Sequence, residues 1–123
     1  MSETLRPRER IRRQKDFLRI YSNGHRYKGR YFVIIHLPNN LDYSRMAVVV
    51  SKKHGQAVIR NRIKRWAREL FRRHKELIVG PRDLIFIPRR EIQQADWKEI
   101  VSDYQKFLIT VSSKSKRTPI DFN

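Results

Sequence analysis

The sequence predicts a single α+β domain, a two-layer α/β sandwich with helices packed against one sheet. Three observations predict it. Short β-branched or aromatic runs (31–37, 45–51, 84–87) alternate with stretches of helical period (13–23, 58–75, 96–111). No linker or internal repeat divides the 123 residues, about the length of one ordinary domain. The apolar share of 39% is enough for one interior.

The first ten residues are polar and basic and read as a loosely held arm. From Arg13 to Asn23, Phe17, Leu18, Ile20 and Tyr21 cluster within a turn and a half, and Gly24 stands where a helix-ending glycine belongs. Residues 27–30 allow a short edge strand. Tyr31 to Leu37 reads as a strand, stopped by Pro38-Asn39-Asn40. By alternation Tyr31 and Phe32 point to opposite faces. Arg45 to Ser51 reads as another strand, its nearly unbroken apolar run suggesting burial on both faces. The short turn between these two makes a hairpin the natural pairing.

Val58 to Lys75 is the clearest helix: Ile59, Ile63, Trp66, Ala67, Leu70 and Phe71 recur at helical offsets. Leu84 to Ile87, between Pro81 and Pro88, reads as a short buried strand. A last helix opens at Asp96, with Glu99 in capping-box spacing. Its stripe is Trp97, Ile100, Val101, Tyr104, Leu108 and Val111. Trp66, Trp97 and Phe86 are assigned to the core. The expected organisation is one domain over 1–123, with an ordered core of about 10–111 and a flexible basic tail over 112–123.

Charge points to the partner. The chain has 29 Lys and Arg against 12 Asp and Glu, a formal net charge of +17. A compact domain so charged repels itself unless a polyanion neutralises it, and nucleic acid is the commonest such partner. No apolar run of about 18 residues offers a membrane span, and the first residues lack the apolar stretch of a secretory signal. Cysteine is absent, which excludes disulfides and thiolate metal sites. The expectation is a cytoplasmic protein with no membrane association and no obligate protein partner.

The densest basic window runs from Lys52 to Lys75, with ten Lys or Arg and Glu69 as its one acid. Within it, Arg60, Lys64 and Arg68 recur at four-residue spacing, where like charges destabilise an isolated helix. A solvated face usually mixes signs, and this one does not, so phosphate contact is the better reading. Arginine predominates on the helix, and its planar fork suits phosphate oxygens. Asn61, between two arginines, suits either contact or a local cap.

Catalysis by the chain's own side chains finds little support. His25, His36, His54 and His74 are scattered, and Asp96, Glu99 and Asp103 suit capping and solvation. No glycine-rich phosphate loop occurs. The expectation is no catalytic residue and no metal ligand in the protein.

Ser51-Lys52-Lys53-His54-Gly55-Gln56-Ala57-Val58-Ile59-Arg60-Asn61-Arg62-Ile63-Lys64-Arg65-Trp66-Ala67-Arg68-Glu69-Leu70-Phe71 resembles the signature of the bacterial ribonuclease P protein subunit. The signature is a Ser-Lys-Lys strand end, a Gly-x-Ala-Val turn, then Arg-Asn-Arg-x-Lys-Arg and Arg-Glu on a helix. With Asp16-Phe17 and the element order, the resemblance covers roughly residues 5–111.

The resemblance implies a fold like the second domain of ribosomal protein S5, with a left-handed strand-helix-strand crossover. It implies a partnership with a catalytic RNA subunit that removes the 5′ leader of precursor tRNA, the chemistry and most of the Mg2+ belonging to the RNA. By similarity, Lys52, Lys53, Arg60, Asn61, Arg62, Lys64, Arg65 and Arg68 would face that RNA. Phe17 and Tyr21 would line a leader cleft between the first helix and the sheet, with Phe32 in the adjoining strand. On spacing alone Phe17 and Tyr21 read more readily as core residues than as base platforms. The chain departs from the family at Gln56, where Asn is frequent, and at Ile35, where Tyr is common. The alternatives are a structural RNA-binding protein of ribosomal type, a free-standing nuclease and a duplex-DNA binder.

Overall fold

The structure is a computed structural model that describes residues 5–111. The proposed flexible tail therefore lies outside the described residues. The elements in chain order are α1 (Gln14–Asn23), β1 (His25–Lys28), β2 (Phe32–Pro38), β3 (Arg45–Val48), α2 (Ala57–His74), β4 (Arg82–Pro88) and α3 (Trp97–Val111). Short 3-10 turns lie at Pro7–Glu9, Lys52–His54, Lys75–Leu77 and Arg90–Gln94. Asp96 and Glu99 cap α3 reciprocally, each side chain accepting the other's backbone N–H (3.0 and 2.9 Å), as the capping-box spacing predicts.

The strand order is β1-β2-β4-β3. β1 and β4 each pair antiparallel with β2, and β3 runs parallel to β4. The expected hairpin between β2 and β3 is therefore incorrect, because β4 is inserted between them. β4 can occupy the centre because it is apolar on both faces: Leu84 and Phe86 point one way, Ile85 and Ile87 the other. β3 is at the edge, and the expectation of burial on both its faces also fails. Of its residues only Met46 is fully buried, and Val49 just beyond is 38% exposed.

The sheet carries helices on both faces. On one, α2 and α3 cover Ile34, Met46, Leu84 and Phe86 with Ile63, Ala67, Leu70, Phe71, Ile100, Tyr104 and Phe107. On the other, α1 buries Ile20 against Ile35 and Ile85, with Ile11 beside them. Burying an aliphatic side chain contributes about 1.5–3 kcal/mol, so the larger cluster dominates stability and α1 is the lighter layer.

Chirality follows from the hydrogen bonds. Met46 and Phe86 belong to the cluster under α2, and Phe86 O accepts the N–H of Val49 (2.9 Å). For an L-residue on an upward strand with its side chain toward the viewer, the carbonyl points right. Seen from α2, β3 thus lies to the right of β4, and the chain passes through α2 to its left. The crossover is left-handed, against the usual preference.

Helix α1 crosses the strands. Near its start, Ile11 N–H donates to Met46 O at the β3 edge (2.9 Å). At its end, Gly24 abuts Ile35 and His36 on β2. Met46, Leu84 and His36 stand at one level of the sheet, so α1 divides this face into two halves. Gly24 ends α1 in extended backbone, not in the left-handed region expected of a helix-ending glycine. Its requirement is space: an added Cβ would stand 2.6 Å from Ile20 O and 2.9 Å from Ile35 Cγ2.

Two further expectations need correction. The arm is docked from residue 5 onward: Leu5 packs on the core, and Glu9, almost fully buried, accepts from Lys75 Nζ at 2.7 Å. Tyr31 and Phe32 do not diverge. Residues 30 and 31 precede the strand and donate their backbone N–H groups to Asp103 on α3, so both rings enter the same cluster.

Candidate nucleic-acid interface

Ser51, Lys52, Lys53 and His54 form a turn between β3 and α2. His54 is buried, its Nδ1 accepts the N–H of Ser51 (3.0 Å), and its Nε2 stands 3.0 Å from Pro88 O. With Nδ1 an acceptor, the ring proton is on Nε2 and is donated to Pro88. This imidazole ties the turn to the end of β4 and leaves Lys52 and Lys53 exposed. Sequence reading treated His54 as an isolated histidine, and only its three-residue spacing from Ser51 hinted at a cap. Gly55 follows with φ +125, a conformation that favours glycine. Gln56 precedes α2 without a side-chain cap.

On α2, with the buried residues facing the sheet, helical geometry sorts the expected RNA-facing residues into three rows. Arg60, Lys64 and Arg68 form the flank toward β3. Asn61 and Arg65 lie on the exposed crest. Arg62 falls on the opposite flank, its guanidinium 4.9 Å from the Trp66 ring centroid, and Trp66 in turn meets Trp97 of α3 at 6.1 Å. Seven of the eight cations and amides thus present one continuous surface, and Arg62 turns toward α3. Trp66 and Trp97 are only partly buried, so they border the core rather than fill it.

Arg60 donates from Nε to Gly55 O (3.1 Å), which anchors it to the turn. Glu69 pairs with Arg72 and Arg73 on the far flank and leaves the Arg60 flank cationic. Burial lowers the pKa of Arg68, and the neighbouring Arg10 charge adds to that effect.

The second part of the surface is the half of the sheet beyond the Phe17 flank of α1. Phe17 is half-buried, Tyr21 is 37% exposed, and their rings stack 6.5 Å apart. Ala47 and Ile87 pack near Phe17 with Ile85 as a buried floor. Toward the Ser51 turn the surface continues into an open pocket of about 400 Å³ lined by Val49, Lys53, His54, Ile87 and Arg90. Phe32 is not part of it. It lies on the opposite face, 3% exposed and edge-to-face with Phe86 at 5.4 Å, because even-numbered residues of β2 point toward α2. Ile35 is fully buried beneath α1. Val49, Ile87 and Arg90 were missed by sequence reading, although alternation in β3 and β4 places the first two beside Ala47 and Ile85.

Asp83 was also missed. It is completely buried at the start of β4 and binds three donors: Arg45 (2.6 and 2.9 Å), Arg19 (2.7 Å) and Asn39 (2.8 Å). Burial opposes its ionisation, but these hydrogen bonds outweigh it and hold the pKa below the usual carboxylate value. Asp16 on α1 completes the network through Arg45. The network fastens α1 across β3 and β4, and so fixes where Phe17 and Tyr21 stand.

Among the described residues no three His, Asp or Glu converge into a group that could hold a metal ion, and no helix is long and apolar enough to cross a membrane. A cationic ridge beside an aromatic-edged cleft is the kind of surface that a small nucleic-acid-binding domain presents.

The family model for ribonuclease P matches residues 5–112. The ribonuclease P protein component of Thermotoga maritima is 44% identical over 94 residues, covering 76% of this chain and 80% of the relative. That of Clostridioides difficile is 36% identical over 91 residues, covering 73% and 80%. The solved ribonuclease P protein of Staphylococcus aureus superimposes with a TM-score of 0.77 at 36% identity, covering 85% of this chain and 98% of that one. The Thermotoga maritima structure gives 0.76 at 36%, covering 85% and 99%. The chain belongs to the ribonuclease P protein family, and its role is that of the protein component of this tRNA-processing ribonucleoprotein.

Proposed function

We propose that this protein acts in the cytoplasm by docking on a catalytic RNA subunit through Lys52, Lys53 and the Arg60-Lys64-Arg68 flank with its crest Asn61 and Arg65. The cleft edged by Phe17 and Tyr21 then receives the single-stranded 5′ leader of precursor tRNA. The observation that carries this reading is Lys53, which belongs to the basic turn and also lines the pocket at the cleft's end. A strand lying in the cleft passes directly into the field of the ridge. Base stacking on an exposed aromatic contributes about 1–3 kcal/mol, and the cations screen phosphate repulsion between the two RNAs. Arg62, stacked on Trp66, is a weaker candidate for direct contact than its neighbours.

The hydrolysis and the Mg2+ that serves it belong, in this proposal, to the RNA. The protein's carboxylates support that assignment by being engaged elsewhere: Asp16 and Asp83 with arginines, Glu69 with Arg72 and Arg73, Asp96 and Glu99 in a cap. By raising local positive charge, the protein lowers the magnesium concentration at which the RNA works.

Reconstitution with catalytic RNA and leader-bearing tRNA tests this. Arg65→Ala and Arg68→Ala are expected to lower cleavage at limiting magnesium, with melting temperature retained. Unchanged cleavage would overturn the docking surface, and cleavage by the RNA-free protein would overturn the assignment of chemistry to RNA.

A further inference from the structure

The other half of the α1 face holds a second concentration of charge that the leader cleft does not use. On α1, Phe17 and Tyr21 lie on one flank of Ile20, and Asp16 and Arg19 on the opposite flank. Below this second flank, where β3 and β4 begin, is an open pocket of about 570 Å³. Arg10, Arg12, Arg13, Lys15, Arg19 and Arg45 line it, together with the 38–43 loop.

Its charge is not balanced. Arg19 and Arg45 are matched by Asp16 and Asp83 in the buried network. Arg10, Arg12, Arg13 and Lys15 are exposed, and among the described residues none of the four forms an ion pair. The walls are firm. Asn39 donates to Asp83 and to Tyr43 O and accepts from Leu41 N–H, which fixes the loop. Arg8 lies over the Tyr43 ring at 4.5 Å, and Ile11 is bonded to the β3 edge. Arg10 also stands near enough to Arg68 to act on it electrostatically, so this charge joins the α2 ridge around the edge strand.

We infer that this pocket is a second RNA-backbone site, on the far side of α1 from the leader cleft, in which Arg10, Arg12 and Lys15 hold phosphates. The inference rests on the protein's reading as an RNA-docking subunit and extends it. Four cations with no ion pair among the described residues repel each other around one concavity, and a run of phosphodiesters removes that repulsion. The network beneath keeps Arg19 and Arg45 neutralised, which leaves Arg10, Arg12 and Lys15 as the ligands, with Arg13 adding to the field around them. The backbone could come from the catalytic RNA or from the substrate, and the two make the same chemical contact.

The test uses the full chain carrying Arg10→Gln, Arg12→Gln and Lys15→Gln together, exposed positions outside the buried network. Binding to catalytic RNA alone, and to precursor tRNA alone, is measured across a salt series beside the parent chain and an Arg65→Gln/Arg68→Gln chain. The slope of log affinity against log salt is expected to fall by roughly 0.7–0.9 for each phosphate that the variant no longer neutralises. The RNA whose slope falls is the source. A triple variant that melts like the parent and keeps the parental slope with both RNAs overturns the inference. If the Arg65/Arg68 variant is altered in that same experiment, the docking surface on α2 stands without the pocket. If the triple variant melts lower than the parent, Arg12→Gln alone supplies the reading: a reduced slope supports the site and an unchanged one overturns it.

Discussion

Asp83 shows how one side chain can decide whether α1 is attached at all. Removing it leaves the largely buried Arg45 guanidinium without its acceptor, beside the partly exposed Arg19. Breaking one side of such a pair costs about 3–5 kcal/mol. Asp83→Ala is therefore expected to lower stability by about that amount in denaturant melts, and, on the proposed leader cleft, to weaken leader binding as α1 loosens. Acid should act on the same residues. The folded-state pKa values of Asp83, Glu9 and Glu69 all lie below their ordinary values. Each resists burial through hydrogen bonds from cations or backbone, so each contributes stability that is present above about pH 4–5 and lost as pH falls further.

His36 adds an earlier stage. Burial, then Arg82 and His25, lower its pKa from 6.5 to about 4. Between those values the unfolded chain takes up a proton that the folded chain refuses, so stability declines as pH drops through that window. Melting temperature against pH should show two descents, and His36→Gln should remove only the upper one.

At the scale of elements, the Ser51–His54 turn couples strand packing to the proposed RNA-docking surface. His54→Ala leaves Ser51 N–H and Pro88 O without their partner, at about 1–3 kcal/mol if water cannot reach them. The expected outcome is a lower melting point together with weaker RNA binding, because Lys52 and Lys53 lose their footing. A melting point that falls while RNA affinity holds would separate the turn from the interface. Helices were legible in the sequence because their apolar periods are long: α2 and α3 appear within a residue or two of their expected ends. Strand pairing was not legible. β2 and β3 each read as strands, but nothing local records that a third strand made later separates them. The cationic flank of α2 was legible as a run of one sign, while the roles of Asp83 and His54 were not, because Arg19, Arg45 and Asn39 for the one and Pro88 for the other lie far off in the chain. Phe32 was misplaced because membership of a strand does not say which face the cleft occupies.

For the whole molecule the governing quantity is the charge of +17. The described carboxylates are largely tied up in caps and ion pairs, so the cationic groups on α2 and beside α1 repel one another in the free protein. Screening should relieve this. As salt rises from about 10 mM to 150 mM the Debye length shrinks from about 30 to 8 Å, and the melting temperature of the isolated protein should rise. Bound RNA supplies the same relief with far greater density. At one hundred times its dissociation constant it would stabilise the fold by about 2.7 kcal/mol. A melting temperature indifferent to salt would show that the surface charges are already compensated.

The placement of β4 has a consequence for synthesis. A nascent chain delivers β2 and β3 to the ribosome exit well before residues 82–88 emerge, and neither strand has the other as its neighbour in the finished sheet. Both must wait, apolar and without β4, through the making of an eighteen-residue helix, and the central strand then has to thread between them. Assembly of this protein is thus timed by one late segment, and a chain halted before it carries the basic helix with only the β1–β2 pair to hold it.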